Sequence, residues 1–277
     1  MEKNYEKVHL VMGVNIHITL NELQELFPSY NFVNIEATKD GVIDTTYIVT
    51  NTQTSYILKH FDRDISSKIQ TDKELLTLLK DAELNVPEYI DEKKGWYLFS
   101  ILKGSSPKVI QLYHIQALAR FMAKYHAQTT KINSSTDFID NYPIKEILSY
   151  TKKYFYRHYK ELENLQNYSL KTDGFIHGDI FKDNTIFDGE KIGVFDFIDG
   201  GSGEFAFDIA VALISFNPKN KSLFTNAFLR TYNQTAPKKL TLDELQAKEP
   251  SARQLYALLR IERYKNTQRA NELLKIC

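Results

Sequence analysis

Between positions 174 and 197 the chain alternates short β-prone runs with tight loops, and that alternation fixes where three polar side chains must stand. Residues 174–177, 185–187 and 192–195 read as strands, and Asp188-Gly189-Glu190-Lys191 carries the Asp-Gly hairpin signal. A loop tied to strands at both ends is rigid. It carries Asp179 and Asn184, and Asp196 follows directly after the hairpin.

An aspartate, an amide five residues on and a second aspartate beyond a hairpin suit phosphoryl transfer, where the protein mainly positions a hydroxyl, a nucleotide and Mg²⁺. The spacing matches the D-x-x-x-x-N and metal-binding Asp pattern of the kinase fold. Asp179 reads as the catalytic base, and Asn184 and Asp196 as Mg²⁺ ligands. A single H-G-D or D-F is more often an ordinary turn or strand end; the full set at this spacing is what carries the reading.

These residues carry a resemblance as well. His177-Gly178-Asp179-Ile180-Phe181-Lys182-Asp183-Asn184 is similar to the H-[AG]-D-L-F-x-D-N of homoserine kinases in the aminoglycoside phosphotransferase and choline kinase-like superfamily. Residues 200–210 resemble that superfamily's A-G-x-G-D-P-x-x-D-L-A, with Glu204 and Phe205 in place of Asp-Pro. Gly41-Val42-Ile43-Asp44-Thr45-Thr46-Tyr47 resembles the G-I-x-N-T-x-Y of homoserine kinases, with Asp44 where the pattern has Asn. The resemblance implies an enzyme that phosphorylates a small alcohol with ATP and Mg²⁺. Homoserine, giving O-phosphohomoserine for threonine synthesis, comes first; choline, methylthioribose, an aminoglycoside or another amino alcohol follow. A non-catalytic nucleotide-binding protein on the same fold is the alternative of another class, but such proteins usually lose a residue that this chain keeps.

The rest of the chain is consistent with a two-lobed α+β, protein-kinase-like fold: an antiparallel five-stranded lobe over 1–102 and a mainly helical lobe over 103–277, with ATP expected between them. Thr19-Leu20-Asn21-Glu22 is a capping box before a short helix. Period-two runs around Phe32, Tyr47, Tyr56, Tyr89 and Trp96 predict five strands. Lys59 in Tyr56-Ile57-Leu58-Lys59 stands where the β3 lysine of kinases stands, and Glu74 on the following helix is its expected ion-pair partner, with Asp72 as competitor. Gly41 lies in the loop expected to cover the phosphates. Phe99 and Ile101 are expected beside the adenine ring, and Lys103-Gly104-Ser105-Ser106-Pro107 reads as the linker.

A long amphipathic helix over 109–130 is expected at the centre of the second lobe, with His126 in a structural role. Asp208 is expected as a buried strut beneath the catalytic loop. For a homoserine zwitterion, the resemblance points to Arg260 for the carboxylate, since a guanidinium matches a carboxylate bidentately, and Asp199 or Glu204 could face the ammonium.

Composition narrows the class. Lys+Arg 35 balances Asp+Glu 35, so bulk charge gives no reason to expect a nucleic-acid partner. Cys277 is the sole cysteine, which rules out an intramolecular disulfide and fits a reducing cytoplasm. No apolar run approaches the ~18 residues that a spanning helix needs, so no membrane partner is expected. His177-Gly178-Asp179 instead of H-R-D, Asp196-Phe197-Ile198 instead of D-F-G and the lack of an A-P-E segment weigh against a protein kinase.

Overall fold

A computed structural model describes residues 15–38, 44–132, 136–219 and 221–274; Gly41 and Cys277 lie outside them. The chain divides into two compact units, Met1–Thr77 with Val86–Leu102, and Leu78–Asn85 with Lys103–Cys277.

The first unit is built on a sheet of five antiparallel strands, β1 (Asn34–Ala37), β2 (Thr45–Thr50), β3 (Ser55–His60), β4 (Tyr89–Lys93) and β5 (Trp96–Ser100), in the order β1-β2-β3-β5-β4. Inward residues alternate along β2, as a half-buried strand requires. Lys94 and Gly95, both at positive φ, close the β4–β5 turn in the way that matches strand twist. Helix α1 (Leu20–Leu26) starts at the expected capping box, with Thr19 Oγ1 accepting from Glu22 N and Glu22 Oε2 accepting from Thr19 N. Its Leu23, with Phe27 just beyond its end, packs with Val49, Leu58, Trp96 and Leu98 to form the core on one face of the sheet. Helix α2 (Ile69–Asp81) lies between β3 and β4 in sequence.

In the second unit, the expected strands form two small pairs. β6 (Gly174–Ile176) runs antiparallel to β9 (Gly201–Gly203), and β7 (Thr185–Asp188) forms a hairpin with β8 (Lys191–Val194). The helices are α3 (Leu112–Thr129), α4 (Ile144–Tyr154), α5 (Tyr156–Leu162), α6 (Phe205–Phe216), α7 (Ser222–Tyr232), α8 (Leu242–Tyr264) and α9 (Gln268–Leu274). The expectation that α3 is the central helix needs correction. Every residue of α6 except Ser215 is buried, while α3 keeps an exposed face. A helix apolar all round belongs inside, and Phe205-Ala206-Phe207-Asp208-Ile209-Ala210-Val211-Ala212-Leu213 is such a run.

The presumed linker also behaves differently. Ser105 exchanges two backbone hydrogen bonds with Phe187, and the Ser106 hydroxyl lies 2.7 Å from the carbonyl oxygens of Lys182 and Thr185. This Ser-rich stretch is stitched to the β7 loop because its hydroxyl and backbone groups find acceptors there.

Candidate active site

The loop between β6 and β7 is shaped by Gly178 and by two buried side chains beneath it. Gly178 has φ +73°, and a Cβ there would come within 2.0 Å of the Phe138 ring, so only glycine fits. Asp208, fully buried in the first turn of α6, accepts from Gly178 N at 2.7 Å through Oδ1 and from His177 N at 3.3 Å through Oδ2. Oδ2 also accepts from His126 Nε2 at 3.0 Å, and His126 Nδ1 lies 2.8 Å from the Tyr232 hydroxyl. Asp208 is the strut expected from sequence. His126 stacks on Phe205 at 4.0 Å and passes the restraint out to α3 and α7.

His177 joins the two halves of the motif. Its Nδ1 accepts from Asp179 N at 3.1 Å, so Nε2 carries the hydrogen that it donates to Phe195 O at 3.1 Å. Burial holds its pKa below the ordinary value and keeps the ring in that neutral form, although the Asp208 charge pulls the other way. One imidazole therefore fixes the backbone of Asp179 and the residue before Asp196.

Asn184, at the end of a 3-10 turn (Lys182–Asn184), donates its Nδ2 to Asp179 O at 2.9 Å and to Asp179 Oδ2 at 2.8 Å. With the NH₂ so committed, the amide oxygen is the atom left to bind something else. Asp196 is exposed and sits at φ +70°, a conformation that costs a non-glycine residue on the order of 1 kcal/mol and clusters at functional sites. Burial pushes the Asp179 carboxyl up to about 8; the charges of Asp196 and Asp183 add to this, and the Tyr256 hydroxyl and the Arg263 charge oppose it.

Tyr256 of α8 is the residue that sequence reasoning missed. Its buried hydroxyl donates to Gly178 O and reaches the Asp179 carboxylate, and its ring packs on Phe181 at 4.7 Å. Burial and the Asp179 charge keep it protonated by driving its pKa upward. In sequence it is one apolar-face position among several, so nothing marks its hydroxyl.

Several expected residues stand elsewhere. Glu74 is exposed and accepts from Gln70 Nε2 at 2.7 Å, so it is not the partner of Lys59; Asp44 is, with Oδ2 3.6 Å from Lys59 Nζ and 3.2 Å from Arg63 Nη2. The helical register turns Glu74 outward and Asp72 inward, where it accepts from the Tyr89 hydroxyl. Phe99 is buried against Tyr89 at 4.4 Å and is a core residue of the sheet, whereas Ile101 is exposed. Glu204 pairs with Lys248 at 2.5 Å, and Asp199 is half-buried, with its carbonyl accepting from Asn141 Nδ2 at 2.8 Å. Arg260 Nη1 donates to Arg269 O at 3.2 Å and lies 3.9 Å from Glu272, so α9 occupies the guanidinium assigned to a substrate carboxylate.

The sequence profile of the phosphotransferase enzyme family, APH, matches residues 34–245. The chain belongs to that family. It is a kinase-type phosphotransferase acting on a hydroxyl acceptor. A homoserine kinase from Methylobacillus flagellatus is 21% identical over 252 residues, 82% of this chain and 79% of that protein. Among solved structures, an amicoumacin kinase in complex with AMP-PNP and Ca²⁺ superposes with TM-score 0.66 at 16% identity, covering 92% of this chain and 91% of that one. The choline kinase of Streptococcus pneumoniae gives 0.66 at 16% identity, over 92% and 98%. These likenesses place the phosphotransferase in the same fold. Among the described residues no helix is long and apolar enough to cross a membrane.

Proposed function

We propose that this phosphotransferase moves the γ-phosphoryl group of ATP, with Mg²⁺, onto the side-chain hydroxyl of L-homoserine in the cytoplasm. The observation that carries the chemistry is Asp179, a carboxylate with a raised pKa held by Asn184, His177 and Tyr256. The homoserine assignment rests on the motif resemblance and on the relative named above.

The residues present fit a divalent cation: the Asn184 amide oxygen accepts no hydrogen bond among the described residues, and the Asp196 and Asp183 charges that raise Asp179 are an excess of negative charge. Mg²⁺ keeps several waters and is commonly held by one or two protein groups. Bound by Asp196 and Asn184, Mg²⁺ would neutralise charge on the phosphates. Asp179 accepts the hydroxyl proton as the acceptor oxygen bonds to phosphorus and the bond to the bridging oxygen of ADP breaks. Lys59 is assigned to the phosphates and Ile101 to the adenine, and Tyr256 keeps the Asp179 loop in place.

Incubation with ATP, Mg²⁺ and homoserine, choline, methylthioribose or kanamycin in parallel tests the reading. Phosphorylation of homoserine is expected; product from another alcohol alone would overturn the homoserine assignment. Asp196→Ala is expected to be inactive at any Mg²⁺ concentration, whereas Asn184→Ala, which keeps the stronger anionic ligand, should regain activity as Mg²⁺ is raised. A Mg²⁺ titration of both variants checks this, and an unchanged metal response in both would remove them as ligands.

Asp44 now shares its carboxylate between Lys59 and Arg63. Asp44→Asn leaves Lys59 and Arg63 their other interactions but removes the competing negative charge, and should lower the KM for ATP by up to about tenfold, the worth of one charge-assisted hydrogen bond. Loss of the shared carboxylate should also lower the melting temperature without nucleotide. Thermal shift with and without AMP-PNP, alongside ATP kinetics, measures both.

A further inference from the structure

Helix α8 presents Tyr256, Arg260 and Arg263 at i, i+4 and i+7, so the three share one face over about 10 Å of helix. The inner end of that face is anchored by the Tyr256 hydroxyl at Gly178 O. Its middle is taken, since Arg260 is held by Arg269 O and Glu272. Arg263 at its outer end is exposed and has no ion pair or hydrogen bond among the described residues, yet its charge acts on the Asp179 carboxyl. The opposite sign stands on the neighbouring 3-10 turn. Asp183, next to Asn184, is exposed, has no ion pair or hydrogen bond among the described residues, and also acts on Asp179. Arg263 thus extends the α8 face that Tyr256 applies to the loop, and Asp183 stands on the turn whose preceding residue, Phe181, packs on Tyr256; Asp183 also feels the Arg260 charge.

We infer that Arg263 and Asp183 select a zwitterionic acceptor, with Arg263 taking the carboxylate and Asp183 the ammonium of an amino acid whose hydroxyl faces Asp179. This rests on the reading of Asp179 as the base and replaces Arg260, Asp199 and Glu204 as the acceptor-reading groups. A cation without a carboxylate, such as choline, would leave Arg263 unpaired. A polycationic aminoglycoside would bring like charge to it, and such opposition supplies specificity as much as attraction does. The guanidinium fork suits a carboxylate bidentately, and a charged hydrogen bond of that kind is worth about 1.5–3 kcal/mol, or roughly 10- to 150-fold in affinity.

Two analogues each remove one charge from homoserine: 3-aminopropan-1-ol lacks the carboxylate and 4-hydroxybutanoate lacks the ammonium. The protein should prefer homoserine to both. In Arg263→Gln the preference for homoserine over 3-aminopropan-1-ol should shrink by about 10- to 100-fold, carried mainly by KM. In Asp183→Asn the preference over 4-hydroxybutanoate should shrink on the same scale. A purely structural Arg263, there to complement the C-terminal dipole of α8, would change the melting temperature slightly and leave both preferences intact, which would overturn the proposal. Equal losses on homoserine and on its analogues would overturn it too. If homoserine is not a substrate, the same paired comparison with serine and ethanolamine separates the two ideas. A carboxylate preference that Arg263→Gln abolishes keeps the proposal while homoserine falls; an acceptor phosphorylated equally well without its carboxylate overturns it.

Discussion

Asp179→Asn is expected to fold, to bind nucleotide and to lose roughly 10²-fold or more in kcat, the scale on which a positioned general base contributes. The asparagine can still accept from Asn184 Nδ2, so the loop keeps its geometry and only the proton acceptor goes. The same substitution should change stability in the opposite direction. The Asp179 carboxyl titrates at about 8 in the folded chain against 3.8 for an unperturbed aspartate, so the fold disfavours its ionised form. An acid whose folded pKa is raised leaves stability intact below its unfolded pKa and erodes it as pH climbs toward the folded value. The parent in EDTA should therefore lose stability to this group between about pH 4 and pH 8, and Asp179→Asn should not. Thermal unfolding of both proteins across that window, with turnover measured at pH 7.5, is the check. Retained turnover in a folded variant would remove Asp179 from the base role.

Asp208→Ala should be among the most damaging single changes in the second unit, although Asp208 touches no substrate. It would orphan three buried donors, His177 N, Gly178 N and His126 Nε2, each costing ~1–3 kcal/mol when left without an acceptor. A loss of about 3 kcal/mol or more corresponds to a fall of roughly 10 °C in melting temperature at ~2–4 °C per kcal/mol. Tyr232→Phe removes only the outer hydroxyl of the network and should cost about 1 kcal/mol. Calorimetry on both variants tests the ranking. An Asp208→Ala protein as stable as the parent would show that the loop is held by other means.

What could be read from the sequence depended on the range of the interaction. Capping at Thr19 and the hairpin at Gly189 are local matters, set by residues a few positions apart, and they lie where the sequence puts them. The spacing of Asp179, Asn184 and Asp196 was legible because it is itself a constraint on a loop between strands, and the structure joins Asn184 to Asp179. Partners brought together by tertiary packing were not visible. Glu74 and Asp72 differ by two positions on one helix, which turns one to solvent and the other inward, and the sequence alone left that choice open. Arg260 and Arg263 are one turn apart, and only the placement of α9 decides which guanidinium is occupied. Tyr256 carries no signal in the sequence, since only tertiary packing brings its hydroxyl to Gly178 O.

The loop between β6 and β7 takes its restraints from far along the chain on both sides. Ser106 reaches Thr185 across 79 residues, and Tyr256 reaches back to Gly178 across 78. His126 is 106 positions from Tyr232 and 82 from Asp208. During synthesis at ~5–20 residues per second, Ser106 leaves the ribosome roughly eight to thirty seconds before Tyr256 does. A nascent chain that already carries Asp179, Asn184 and Asp196 still lacks the hydroxyl that closes over the Gly178 carbonyl. The loop can settle only when most of the second unit is available, so the burden of assembly falls late, and incomplete chains would hold Asp179, Asn184 and Asp196 without the frame that aims them.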